Sequence, residues 1–124
     1  MEIAERAAMD ATVIQTISAV NTRLAHQRLK GEVPNVAEWS RRNPFELAGM
    51  SPRNFAGLID PLQPSALERG SWAYDPQRAE LVYSPRLASG LTTPDPDGLV
   101  RFRVEVGPRG LGYMLVPTPA YTWR

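Results

Sequence analysis

The first thirty residues contain neither proline nor glycine, whereas all twelve prolines and all nine glycines lie after them. Because both residue types interrupt helices, only this segment can form a long continuous helix. Four apolar residues recur at spacings of four, three and four, which places them on one helical face; they are Val13, Ile17, Val20 and Leu24. Acids near its start and bases near its end suit the helix dipole. We therefore predict one amphipathic helix over residues 2–30.

The length of this helix constrains how it packs. At 1.5 Å per residue it spans roughly 40 Å, more than the width of a domain of this size. We therefore expect part of it to protrude and its C-terminal two-thirds to pack on an apolar surface. Residues 1–8 offer little apolar surface besides Ile3, so the N-terminal turn is the weakly held end.

After the helix the pattern changes to short elements punctuated by proline. Asn35 and Asn43 each stand three residues before an acid, a spacing typical of helix N-caps, and they predict two short helical turns. Residues 50–69 contain three prolines, each preceded by a polar residue, and are predicted to form an ordered loop.

The second half of the chain has the period of β-strands. Residues 71–74 and 80–83 flank an Asp-Pro turn and predict a hairpin. After a loop over residues 85–97, residues 100–106 alternate strictly between apolar and polar. A last strand is predicted over residues 111–116, after which two prolines should bar further pairing.

Together these elements predict an α+β domain in which the long helix packs on an antiparallel sheet of about four strands. We expect a single domain over residues 1–124, with the helix at 1–30, a connecting region at 31–69, and the sheet and tail at 70–124. The expected core between helix and sheet consists of Val13, Ile17, Val20, Leu24, Trp72, Phe102 and Val104.

Two segments resemble a known family. The sequence AERAAMDATV at residues 4–13, continuing to residue 26, is similar to the later half of the N-terminal helix of type IV pilins and type II secretion pseudopilins. The pattern GSWAYD followed by LVY within residues 70–83 resembles the opening hairpin of their sheet, and residues 43–57 resemble the connecting region of MSHA-type pilin-like members. In that family a very hydrophobic helix half precedes this segment; it lies in the inner membrane before assembly and in the fibre core afterwards.

The resemblance implies a structural subunit of a type IV pilus or a secretion pseudopilus that assembles through its N-terminal helix. Its partners would be other subunits and the assembly machinery, and we place the subunit interface at Glu5, Arg6 and Asp10. It would occupy the inner membrane with a periplasmic domain, and then the fibre, while the sequence given would itself be soluble. The alternative is a free-standing periplasmic or cytosolic adaptor that captures a peptide at an exposed sheet edge.

Composition argues against other classes of function. A net charge of +1 gives no reason to expect a nucleic-acid partner. Cysteine is absent and His26 is the only histidine, so the sequence offers neither a thiolate metal site nor an evident catalytic triad, and we expect no enzyme activity and no cofactor.

Two smaller alternatives remain open. Asp95 and Asp97 are weak calcium candidates, because some major pseudopilins bind calcium near their C-terminal strands, although Asp-Pro and Asp-Gly are also common turn formers. Five aromatic residues could stack on sugars or bases, although core packing is the favoured reading; they are Trp39, Trp72, Tyr74, Tyr83 and Trp123.

Overall fold

The N-terminal helix α1 runs unbroken from Glu2 to Leu29 in the computed structural model, which describes residues 2–32, 35–107 and 112–124. The predicted long helix is therefore confirmed. It ends where Gly31 adopts a left-handed conformation with φ of 78° and the Glu32 amide donates to the carbonyl of Gln27 over 2.9 Å. This pairing satisfies a carbonyl that the end of a helix otherwise leaves free.

The other elements are short. Two helical turns follow, α2 at Val36–Trp39 and α3 at Pro44–Ala48, and a 3₁₀ turn covers Pro64–Ala66. The strands are β1 at Phe55–Leu58, β2 at Trp72–Asp75, β3 at Glu80–Tyr83, β4 at Leu91–Thr92, β5 at Val100–Val106, β6 at Tyr113–Pro117 and β7 at Thr122–Trp123. A five-stranded sheet has the order β1-β2-β3-β5-β6, and β4 pairs with β7 in a small second sheet. The α+β class is thus confirmed.

Three strands lie outside the predicted meander: β1, β4 and β7. Strand β4 falls within residues 85–97, which were predicted to form a loop, and it pairs with β7. Strand β1 lies in the segment predicted to be a loop, and it pairs with β2 in parallel with a register shift. Its four residues include Gly57 at φ of 100°, so it is too short and irregular to show an alternating pattern. Strand β7 follows both prolines that we expected to end pairing. Pro117 is the last residue of β6 and pairs with Phe102, and the Thr118 amide still donates to the Arg101 carbonyl over 2.9 Å. Beyond Pro119 the chain pairs with β4, so the prediction that the two prolines bar further pairing is wrong.

The main core lies between α1 and one face of the sheet. Met9, Val20 and Leu24 are buried on the helix side, with Val13 and Ile17 partly buried beside them. On the sheet side the ring of Trp72 lies 4.8 Å from that of Tyr83 and 5.9 Å from that of Phe102, and Val104 is also buried. All five aromatic residues considered for ligand stacking are buried, so the stacking alternative is wrong.

The opposite face of the sheet is covered by the connecting region. Ala73 and Val82 on the β2–β3 hairpin are fully buried there with Leu67 and Leu99, and Ile59 and Leu62 pack against this group. The hairpin is therefore apolar on both faces, which explains why all four residues of β2 are buried.

The side chain of Asn21, on α1, also forms hydrogen bonds to the backbone of strand β6. The Asn21 amide group accepts a hydrogen bond from the Tyr113 N–H over 2.9 Å and donates to the Tyr113 carbonyl over 3.1 Å. These are the two groups that an additional strand would use, so Asn21 takes the place of a neighbouring residue at this end of β6.

We predict that Tyr113→Phe leaves the free energy of unfolding unchanged or raises it by up to about 1 kcal/mol. The Tyr113 side chain is fully buried, yet its hydroxyl has no hydrogen-bond partner among the described residues. The matched control is Tyr74→Phe, which removes a 3.1 Å hydrogen bond to the Arg41 carbonyl and should cost about 1 kcal/mol. Urea denaturation measures both; a larger loss for Tyr113→Phe would contradict this account.

Candidate functional site

The charged residues of α1 are confined to the side of the helix that faces the domain. At about 100° per residue, they all fall within an arc of about 140° that includes the buried stripe. They are Glu2, Glu5, Arg6, Asp10, Arg23 and Arg28. Several of them bind groups elsewhere in the chain, as Arg23 does when it donates to the Leu47 carbonyl over 3.2 Å.

The opposite side of α1, here called the outer face, is exposed and carries no acidic or basic side chain apart from one histidine. Its members are Ile3, Ala4, Ala7, Ala8, Ala11, Ile14, Gln15, Ser18, Thr22, Ala25, His26 and Leu29. Ile3 is 66% exposed, Ile14 65% and Leu29 85%. A helix on a protein surface normally places charges on its water-facing side. An exposed helix face without charged side chains is therefore a candidate contact surface.

The first turn of α1 is bound to the domain through two carboxylates. Glu2 accepts hydrogen bonds from the Ser89 hydroxyl over 2.7 Å, the Gly90 amide over 2.6 Å and the Trp123 indole N–H over 2.9 Å. These bonds, led by that from Ser89, hold the pKa of Glu2 below its ordinary value. The N-terminal turn therefore does not protrude, and the helix residues beyond the core are those after Leu24, where Leu29 is almost fully exposed.

Glu5 completes this attachment. Its carboxylate accepts from the Tyr83 hydroxyl over 2.6 Å, the Arg86 amide over 2.7 Å and the Leu87 amide over 2.8 Å. The pKa of Tyr83 is raised, first by burial and then by the hydrogen bond to Glu5, because both disfavour a phenolate.

The interface predicted at Glu5, Arg6 and Asp10 stays a prediction, and the structure shows what these side chains contact within the chain. Glu5 is used within the chain, and Arg6 donates to the Trp123 carbonyl while lying 4.0 Å from Asp10. Arg6 and Asp10 remain about half exposed, but neither belongs to the outer face. At about 100° per residue Arg6 is in line with buried Leu24, and Asp10 lies between the buried stripe and the outer face. The prediction from sequence placed the subunit interface on charged side chains, whereas the outer face of α1 lacks them.

The two calcium candidates instead bind a buried arginine on the other face of the sheet. Arg101 is 5% exposed, and its Nε donates to Asp95 over 2.9 Å while its other nitrogens lie 3.7 Å from Asp97 and 3.5 Å from Glu80. The second oxygen of Asp95 accepts from the Leu99 amide over 2.9 Å. Within the described ranges no three acidic or histidine side chains are placed to hold a metal. The guanidinium occupies the position that a cation would need, so these acids fix the loop to β5.

The sheet edges offer little to an incoming peptide. On β6 the Tyr113 backbone is already paired with Asn21, and Pro117 lacks an N–H. On β1 the pairing shifts register within four residues, and the Phe55 amide donates to the Pro52 carbonyl. Bulges and prolines of this kind are ways in which proteins protect sheet edges.

Comparison with known proteins finds no relative of this chain. Neither a family model, nor a characterised protein, nor a solved structure matches this chain. No helix in residues 2–32, 35–107 or 112–124 combines the length and apolar character needed to cross a membrane. The geometry of α1 and the resemblance of residues 4–26 and 70–83 are therefore the two grounds for a functional proposal.

We predict that Glu80→Gln gains stability relative to the wild type as the pH rises from 4 to 8. Burial raises the pKa of Glu80, although Arg101 opposes that shift, so the fold favours its protonated form. The stability that this group contributes is complete below its unfolded pKa and is lost as the pH rises through its folded pKa.

Urea midpoints measured across this range test the prediction. The matched control is Glu105→Gln, since Glu105 is exposed and pairs only with Arg103 over 3.3 Å among the described residues. The difference in urea midpoint between Glu105→Gln and the wild type should change little with pH. A loss of stability by Glu80→Gln relative to the wild type as the pH rises would contradict the prediction, because it would show that the Arg101 ion pair outweighs burial.

Proposed function

We propose that this chain is a structural subunit of a type IV pilus or a type II secretion pseudopilus, assembling through α1. The observation that carries the proposal is the outer face, an exposed and uncharged surface along a helix about 42 Å long with 28 residues. The resemblance of residues 4–26 and 70–83 to pilin-like proteins supports the same conclusion.

The chemistry of the outer face suits a second helix. Five of its residues are alanines, at positions 4, 7, 8, 11 and 25, and small side chains let two helix backbones approach closely. Ile3, Ile14 and Leu29 supply apolar area that two neighbouring helices would bury together. Another copy of α1 presents the same uncharged surface, so no ion pair has to be matched at the contact.

The proposal includes an apolar segment of about 20 residues that continues α1 on its N-terminal side. Such a segment would hold the subunit in the inner membrane before assembly and would pack with its copies in the fibre core. The α+β domain would then project outward from the helix, because the charged side of α1 binds it through Asn21, Arg23 and Glu5.

The adaptor alternative gains no comparable support. Capture of an extended peptide requires a free run of backbone donors and acceptors along an edge strand. The two edges of the main sheet are interrupted at Tyr113, Pro117 and Phe55 as described above.

The proposal predicts that Ala11→Glu abolishes assembly without unfolding the domain. Ala11 is exposed in the subunit, so the free energy of unfolding should change by no more than about 0.5 kcal/mol. In a helix-to-helix contact the new carboxylate would be buried without a partner, which costs far more. Fibre formation in the native host, scored by electron microscopy or by secretion, gives the readout, and thermal denaturation of the purified domain checks folding.

The matched control is Ala37→Glu, because Ala37 is an exposed alanine on the separate short helix α2. This variant should assemble normally. Normal fibres from Ala11→Glu would place the contact elsewhere. The genomic sequence encoding the region before Glu2 gives a second test, since the absence of an apolar stretch there would contradict a fibre subunit of this class.

A further inference from the structure

Two distant parts of the chain close over the first turn of α1. One is the loop at residues 86–90 and the other is the tail at residues 120–124; together they are called the strap. The Arg124 amide donates to the Gly90 carbonyl over 3.0 Å, which joins the two parts. A β-carbon added at Gly90 would collide with the Arg124 carbonyl oxygen and touch the Glu2 carboxylate, so the three segments meet with no room for a side chain.

The strap has little apolar packing of its own. Residues 86–89 are exposed, and each strand of the small sheet has two residues. Trp123 is its one fully buried large side chain, at 3% exposure, with Tyr121 partly buried beside it. Segments with few buried contacts need less free energy to open than the core does. Trp123 belongs to the main core and Tyr121 packs edge-on against Phe102, so these two side chains hold the strap together with its polar contacts with α1.

Those contacts converge on two carboxylates. Glu2 and Glu5 together accept six hydrogen bonds, three of them from backbone amides of residues 86, 87 and 90. An ionised carboxylate can accept at both oxygens, and such charge-assisted bonds are about twice as strong as neutral ones. A glutamine keeps one acceptor oxygen and turns an N–H₂ group toward the remaining donors.

We propose that Glu2 and Glu5 form a carboxylate latch, and that neutralising both releases the strap from α1 while the core between α1 and the sheet stays folded. The latch is a conformational device of this domain and does not depend on the proposed function. Release would free the first two turns of α1 and expose Trp123, and the domain would then be held to its helix by the contacts from Met9 onward.

Other charged and titratable groups lie around the latch, but the charges of Glu2 and Glu5 are the ones that control it. Arg6 and Asp10 lie on α1, Tyr83 on β3, Arg86 in the loop, and Tyr121 and Arg124 in the tail. None of the ion pairs found among the described residues includes Glu2 or Glu5. Arg6 also binds the strap, through the Trp123 carbonyl, and this contact is the same in the wild type and in the variant tested below.

The test is fluorine NMR of the full chain labelled with 5-fluorotryptophan, which gives one signal for each of its three tryptophans. The variant carries Glu2→Gln and Glu5→Gln, and spectra are recorded at constant neutral pH. Constant pH keeps the Arg101 cluster in its native charge state. The Trp123 signal, assigned with Trp123→Phe, should leave its native position for that of the unfolded chain, while the signals of Trp39 and Trp72 stay native.

The matched control is Glu105→Gln, which removes one exposed acid from β5 and should leave all three signals native. The wild type gives a second measurement, because lowering the pH should move the Trp123 signal at a higher pH than the other two. A native Trp123 signal in the double variant would overturn the latch. Loss of all three signals together would also overturn it, since the strap would then not open separately from the core.

Discussion

The contact between the inner face of α1 and the five-stranded sheet is the one on which the rest of the structure depends. Val20 and Leu24 on the helix and Trp72 on the sheet are at most 1% exposed. Each such side chain contributes roughly 1.5–3 kcal/mol when it is buried, so a few residues supply much of the driving force. The 28-residue helix α1 extends beyond this contact at its C-terminal end, where Leu29 is 85% exposed. The contact binds one side of the helix to the domain and leaves the outer face exposed.

That separation determines where charges can lie. Side chains at the margins of the buried stripe can reach donors and acceptors of the domain, and Glu5, Asn21 and Arg23 do so. The outer face has no such partners within the described chain and consists largely of alanine and uncharged residues. A helix that only faced water would gain solubility from charges there. Their absence from this face is the observation on which we base the proposal that a second helix covers it.

The elements that were predicted correctly are those whose sequence signal lies in residues close together in the chain. The helix was marked by its apolar period and by the lack of proline, and the β2–β3 hairpin by its Asp-Pro turn; there Asp75 accepts a hydrogen bond from the Gln77 amide. Strand β1 gave no such signal, because a bulge and Gly57 interrupt it.

The attachment of the first turn of α1 could not be found from sequence in the same way. Glu2 and the indole of Trp123 are 121 residues apart, and no periodicity links them. The outer face, in contrast, was present in the sequence as a helical arc without charges. The interface predicted from sequence was placed on charged residues instead, and one of them, Glu5, binds the loop at residues 86–90 within the chain.

The central claim, that neighbouring subunits cover the outer face of α1, is tested most directly by the chemical accessibility of that face. The chain has no cysteine, so a single Ser18→Cys substitution gives one thiol in the middle of the outer face, and Ala37→Cys gives an exposed reference. Both thiols should react with a maleimide at similar rates in the purified domain. In assembled fibres the account predicts that the thiol at position 18 is protected while that at position 37 still reacts. Equal reactivity of the two in fibres would contradict it.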